Sequence, residues 1–290
     1  MANKRKLVRV ETPPEHPGFL GAGHIARPVV HGDFQATDPF IALMDDILDK
    51  KDTLPVGGPH PHAGFETVSL LLEGEIGDEA HAMKSGDFQI MTAGSGIVHT
   101  ERIDKATKMR LLQMWLNLPK KNRWATPRVQ DLPLAHVPVL NENGVQIKLY
   151  SGSFAGLTSS VQNYVPLIIA DIRINTGVTT VQQLPADFNA FMYVLEGKVK
   201  VGEDEKQLNE GQVGWLSLTD SEAVSELKLS ADEKAVRFVL YAARPLGEAI
   251  VSHGPFIADS EDDIKHLYQD YRLGKMKHIS TVPEKQRILL

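Results

Sequence analysis

Two stretches of this chain repeat each other, and the repeat limits the fold more than any other feature. Leu71-Leu72-Glu73-Gly74 returns as Val194-Leu195-Glu196-Gly197, and the next turn, Lys84-Ser85-Gly86-Asp87, returns as Asn209-Glu210-Gly211-Gln212. The glycines of the first turn, Gly74 and Gly197, stand 123 residues apart. Self-similarity at a fixed interval marks one structural unit used twice, and two units of that size fill a chain of 290 residues. Short apolar runs rich in Val, Ile, Leu, Phe and Thr recur at 65–72, 87–92, 110–118, 145–150, 164–174, 190–195, 212–218 and 236–242. Gly, Asn, Asp or Pro bounds these runs, which is the punctuation of strands and turns. The sequence therefore predicts an all-β fold of two similar units.

The polar stretch 119–143 carries four prolines and lies between the copies. It predicts a first unit over 1–120, a linker over 121–143 and a second unit over 144–290. One helix is expected near the end of the second unit. Asp259 or Ser260 can cap it, and Ile264, Leu267, Tyr268 and Tyr271 form a stripe at helical spacing that would pack on a β wall.

Composition narrows the function classes. The chain has no cysteine, which removes disulfides, thiolate nucleophiles, zinc ribbons and iron–sulfur clusters and leaves His and carboxylates as the metal donors. With 31 Lys+Arg against 37 Asp+Glu, the net charge of −6 gives little drive toward phosphate backbones, so direct nucleic-acid binding is not expected. Lys4-Arg5-Lys6 reads as a solvated basic end. The start lacks the apolar stretch of a signal peptide, and no apolar run is long enough to span a membrane. The expectation is a cytoplasmic protein, or a nuclear one in a eukaryotic cell.

Eleven histidines occur, and three of them have metal-ligand spacing. His60-Pro61-His62 stands in one segment, and His99-Thr100-Glu101 follows a Gly-rich turn. In a strand, residues i and i+2 project to the same face about 6–7 Å apart, so each pair offers two donors in one direction. Two such pairs on neighbouring strands can close on one ion, and the intervening 25 or so residues of strand, turn, strand and turn suffice to bring the second pair back. The competing reading is a polar network inside a β-unit. Glu66, four residues after His62, is a rival carboxylate, because even spacing keeps it on the same face unless a bulge at Ala63-Gly64 breaks the parity. His16, His24, His31, His81 and His136 have no partner at ligand spacing and read as surface or hydrogen-bonding residues. His253, in a Gly-Pro turn, reads as a residue that fixes that turn. Phe65, Met91, Met114 and Trp115 read as ordinary core or as lining of an apolar pocket.

Four blocks together resemble the pirins of the cupin superfamily: His60-Pro61-His62-Ala63-Gly64-Phe65-Glu66-Thr67-Val68-Ser69, Met91 to Glu101, Asp38-Pro39-Phe40, and Ser252-His253-Gly254-Pro255-Phe256. The resemblance runs from Gly21-Ala22-Gly23 to the last helix. It implies a bicupin, two antiparallel β-barrels of the jelly-roll or double-stranded β-helix type with a C-terminal helix, and one mononuclear metal in the first barrel. The positions matching the family's ligands are His60, His62, His99 and Glu101, which leaves Glu66 as a supporting or structural carboxylate. Gln183, Pro185 and Asn189 stand where the second copy would match His60, His62 and Glu66, so the second barrel is expected to carry no metal there.

The resemblance implies Fe(II) as the ion, with Zn, Ni, Cu and Mn as alternatives that the ligand set does not separate. It further implies quercetin 2,3-dioxygenase activity, in which a small aromatic flavonol is opened by O2 with release of carbon monoxide and Glu101 or a nearby carboxylate takes the 3-hydroxyl proton. The alternative implied is a non-enzymatic regulator, whose metal or redox state sets a surface for a protein partner, as a transcriptional cofactor or a metabolic regulator.

Overall fold

The computed structural model describes residues 3–77, 82–218 and 224–290. The chain forms two compact units, one of Pro14–His136 with Leu246–Leu290 and one of Met1–Pro13 with Val137–Pro245. Each is a cupin β-fold, with the long helix confined to the first. Among the described residues, no helix is long and apolar enough to cross a membrane.

The first unit is built on an eight-stranded sheet. Its order is Arg287–Leu289, Arg128–Leu132, Phe88–Thr92, Phe65–Glu73, Thr107–Asn117, Phe40–Lys50, His24–Val30 and His16–Pro17. Phe65–Glu73 sits at its centre and is buried over its first seven residues. Both of its faces are covered, so Glu66, Thr67 and Ser69 are buried along with Phe65, Val68, Leu70 and Leu71. A separate two-stranded sheet pairs His60–His62 with Ile97–His99. The helix Glu261–Arg272 is capped by Ser260, whose Oγ accepts the Asp263 N–H at 3.2 Å. Glu261, Asp262 and Asp263 complement the dipole in its first turn. Ile264 and Leu267 are buried with Phe256 and Ala258, while Tyr271 is exposed, so the buried stripe is narrower than the spacing suggests.

The second unit faces a seven-stranded sheet with a five-stranded one. Ile147, Ile172, Phe238 and Leu240 from the first pack with Val199, Leu227 and Leu229 from the second in one apolar core. The sheets meet face to face and do not close into a hydrogen-bonded cylinder, so the expected barrels are sandwiches.

The repeat is reproduced bond for bond. Gly86 N–H donates to Leu71 O and Gly211 N–H to Val194 O, while Lys84 N–H and Asn209 N–H donate to the side chains of Asp87 and Gln212. Gly74 and Gly197 both have positive φ, and a Cβ there would lie 2.3 Å from the Lys108 carbonyl and 2.5 Å from the Ala235 carbonyl respectively. Only glycine fits both conditions.

The unit boundaries differ from a simple division at a linker. Arg128–Leu132 is not linker but a strand, in register with Phe88–Thr92. Past Pro245 the chain returns to the first unit, where the Asp38 carboxylate accepts the Leu246 and Gly247 N–H groups at 2.8 and 2.6 Å. The N-terminus belongs to the second unit, with Leu7–Glu11 paired to Val213–Leu216 and Asn3–Lys4 to Val224–Ala231. Arg5 is therefore not a solvated basic residue. Its side chain is 1% exposed and donates to the carbonyls of Pro185, Ala186, Phe188 and Ser217 and to Ser225 Oγ. Burial pushes its pKa down to about 10, and the guanidinium remains charged at neutral pH.

Candidate metal centre

Backbone pairing assembles the histidines. In the antiparallel pair, Ile97 lies opposite His62 and His99 opposite His60. The two-residue spacing turns His60 and His62 to one face, and the ring centroids are 5.0 Å (60–62), 4.3 Å (60–99) and 4.9 Å (62–99) apart. One nitrogen from each ring lies within 4.8 Å of the others. Phe65 and Trp115 on the large sheet pack edge-on against His62, with centroids at 5.3 Å in both contacts.

The electrostatics of the cluster suit a cation. Burial, followed by the charge of His60, pushes the His62 pKa down to about 3, with the Pro255 carbonyl pulling weakly the other way. His99 is held well below the usual imidazole range, by burial first and then by His62, His60 and His278. Both rings are neutral at pH 7. His99 Nε2 is buried with no hydrogen-bond partner, and the weakly acting Pro255 carbonyl stands against the buried His62 ring at a distance or angle short of a full hydrogen bond; an orphaned buried nitrogen costs about 1–3 kcal/mol. His60 Nδ1 lies 2.9 Å from the Gly58 carbonyl. A carbonyl only accepts, so Nδ1 carries a proton and, in the neutral ring that a metal needs, the lone pair is on Nε2. Each neutral ring keeps a lone pair on one nitrogen, and one such nitrogen from each of three rings converging in a buried site is the donor set of a divalent transition metal.

Glu101 lies outside that three-histidine group. Its Oε1 accepts from Gln113 Nε2 at 2.5 Å. Burial raises its pKa, while the charge of His60 and the Gln113 bond work against the rise. Its backbone is zipped to the loop before His60: Glu101 N–H donates to Gly57 O at 3.0 Å, and Val56 bridges Ile103. A Cβ on Gly57, whose φ is +71°, would meet the Glu101 carbonyl at 2.0 Å. A small cavity of about 20 Å³ touches Ser69, Gln89, His99, Thr100 and Glu101, room for one water-sized molecule.

Glu66 is not a supporting carboxylate for the cluster. Gly64, at φ +84°, interrupts the strand after His62, and pairing resumes at Phe65. Because Phe65 meets His62, its neighbour Glu66 turns to the opposite face of the sheet. There it is fully buried and accepts from Thr92 Oγ1 at 2.6 Å. Burial pushes its pKa up to about 7 against the Thr92 bond and the charge of Arg128.

The remaining candidates fall elsewhere. Met114 shares the Glu66 face, since it lies opposite Val68, and is core, while Met91 packs with Ala93, Ile97 and Val129. His253 Nδ1 lies 3.0 Å from Tyr268 Oη, His24 bonds Asp46, His31 bonds Pro28 O and His136 bonds Leu290 O. His16 is exposed on its short strand. His81 lies outside the described residues. Gln183 and Pro185 end a strand paired with Val224–Ala231, and Asn189 begins the next strand. The sequence reading missed Gly57, Gln113, Thr100 and His278. Only Gly57 carried a local signal, the Gly57-Gly58 pair just before His60.

Two cupin sandwiches in one chain, with a buried histidine cluster in the first, define a bicupin. The chain belongs to the pirin family: the family model described as pirin matches residues 24–116, and that of the pirin C-terminal cupin domain matches 169–277. Pirin of Mus musculus is 33% identical over 284 residues, covering 95% of each chain. A pirin-like protein of Solanum lycopersicum is 33% identical over 278 residues, covering 94% of this chain and 91% of its own. The crystal structure of a quercetin 2,3-dioxygenase from Acinetobacter baumannii superimposes with a TM-score of 0.83 at 27% identity, covering 95% of this chain and 99% of its own.

Proposed function

We propose that this protein is a metal-dependent dioxygenase that opens a flavonol such as quercetin with O2, using one divalent transition metal, Fe(II), held by His60, His62, His99 and Glu101. The observation that carries the reading is the convergence of one ring nitrogen from each of His60, His62 and His99 within 4.8 Å, in a site where His62 and His99 are buried and neutral. Likeness to the Acinetobacter baumannii quercetin 2,3-dioxygenase supports the choice of substrate class.

When bound, the metal supplies a Lewis acid for the flavonol 3-hydroxyl and a redox partner for O2. The chain's own residues do the rest. The Gly58 carbonyl holds the proton of neutral His60 on Nδ1 and so leaves the lone pair on Nε2 for the metal. Phe65 and Trp115 wall off the side of His62 and exclude water from it. Gln113 holds Glu101 Oε1 and so orients the carboxylate that takes the 3-hydroxyl proton. The small cavity beside Glu101 is too confined for a flavonol, which needs a site of several hundred Å³, so the aromatic substrate approaches from the partly exposed His60 side.

The test is an aerobic assay of protein loaded anaerobically with Fe(II), following quercetin absorbance, O2 uptake and carbon monoxide release. The expected result is stoichiometric consumption of both reactants, lost in His62→Ala. Full metal loading with no flavonol consumption would overturn the dioxygenase reading and leave the metal to a regulatory role.

A further inference from the structure

The C-terminal segment returns to the first unit and grips both histidine-bearing strands. Ala63, next after His62, bridges Phe256, and its carbonyl accepts the Ile257 N–H at 3.0 Å. Val98, next before His99, donates its N–H to Lys277 O at 2.9 Å and bridges His278. Ile279 is buried against Met91, Ala93 and Ile97, which anchors this stretch on the sheet.

His278 then reaches the residue between the two downstream candidate ligands. Its Nε2 lies 2.8 Å from Thr100 Oγ1. Its Nδ1 accepts the Ser280 backbone N–H at 3.2 Å and lies 2.7 Å from Ser280 Oγ. A nitrogen that accepts an amide proton carries none, so the neutral ring holds its proton on Nε2 and donates it to the Thr100 hydroxyl. Thr100 separates His99 from Glu101, and any rotation of its backbone moves one relative to the other.

We propose that His278 is a positioning residue for the metal centre: its Nε2–H holds Thr100 and, through it, the turn that sets His99 against Glu101. The proposal rests on the metal-centre reading above and on no particular reaction. The segment Phe256–Ser280 is thereby a strap whose first half steadies His62 and whose second half steadies His99 and Glu101.

Three substitutions separate this role from simple capping of the turn at residues 279–281. His278→Gln keeps a donor near the Nε2 position but loses the acceptor for Ser280. His278→Asn keeps that acceptor but cannot reach Thr100, and His278→Ala loses both. Co(II) titration of the full chain, by chelator competition and visible absorption, reads the centre without any turnover. The expected result is that Ala and Asn weaken Co(II) binding about 10–100-fold and alter the absorption bands, while Gln restores both. Thr100→Val, which removes the hydroxyl from the other side, should weaken binding similarly and add nothing to His278→Ala. Rescue by Asn instead of Gln, or wild-type affinity in all variants, would overturn the proposal. A wild-type chain that takes up no Co(II) would remove the centre and the proposal together. The predicted variant pattern without flavonol turnover would sink only the dioxygenase reading.

Discussion

Gly64 offers a direct handle on the local geometry that sends His62 and Glu66 to opposite sides of the sheet. A Cβ there would stand 1.8 Å from the Ile257 carbonyl oxygen, in a residue whose φ is +84°. Alanine in a left-handed conformation costs about 1–2 kcal/mol. Relieving the overlap requires more than an ångström of separation, which adds about 1–3 kcal/mol of overpacking. The adjacent bond from Ile257 N–H to Ala63 O would break as well, worth about 1 kcal/mol. Gly64→Ala should therefore destabilise the first unit by about 3–6 kcal/mol. Gly21, at φ +88° with open space for 4 Å around the point a Cβ would occupy, is the matched control, and Gly21→Ala should cost only about 1–2 kcal/mol. Urea unfolding of the two variants, followed by circular dichroism, measures the difference. Equal losses would refute the view that close approach of the returning segment fixes the bend after His62.

Two further predictions concern buried charge. Burial raises Glu66 from 4.5 to about 7, so the folded state holds its proton more tightly than the unfolded one. Its stabilising contribution is complete below about pH 4.5 and is lost as pH rises toward 7, a change of about 3 kcal/mol. Glu66→Gln should flatten that part of the stability–pH curve, and an unchanged slope would contradict the assignment. In the second unit, Arg5→Met removes the guanidinium that donates to the carbonyls of Pro185, Ala186 and Phe188. It should cost about 3–5 kcal/mol, with little rescue by Arg5→Lys, whose ammonium lacks the fork. Metal content should stay at the wild-type level, and denaturant melts alongside elemental analysis check both statements.

Much of the fold could be read from local pattern. The turn glycines Gly74 and Gly197 are visible because a positive φ beside a neighbouring strand admits little else. The histidines of the cluster were legible because their two-residue spacing survives in a real strand pair. What escaped depends on contacts between distant residues. Nothing near Arg5 announces that it meets Phe188, and nothing near His278 announces Thr100. Arg128–Leu132 looked like linker because its polar residues pair within the sheet: Asp131 accepts from Gln89 at 2.7 Å. Glu66 was ambiguous for a different reason. Parity counting along a strand holds only while pairing is unbroken, and the break falls at Gly64.

The central claim is that His60, His62 and His99 grip one ion. Elemental analysis after Fe(II) or Co(II) loading and desalting, on the wild type and on His60→Ala, His62→Ala and His99→Ala, tests it most directly. The account predicts one equivalent of metal per chain in the wild type and near-complete loss in each folded variant. Metal content that is unchanged when all three histidines are replaced would contradict it.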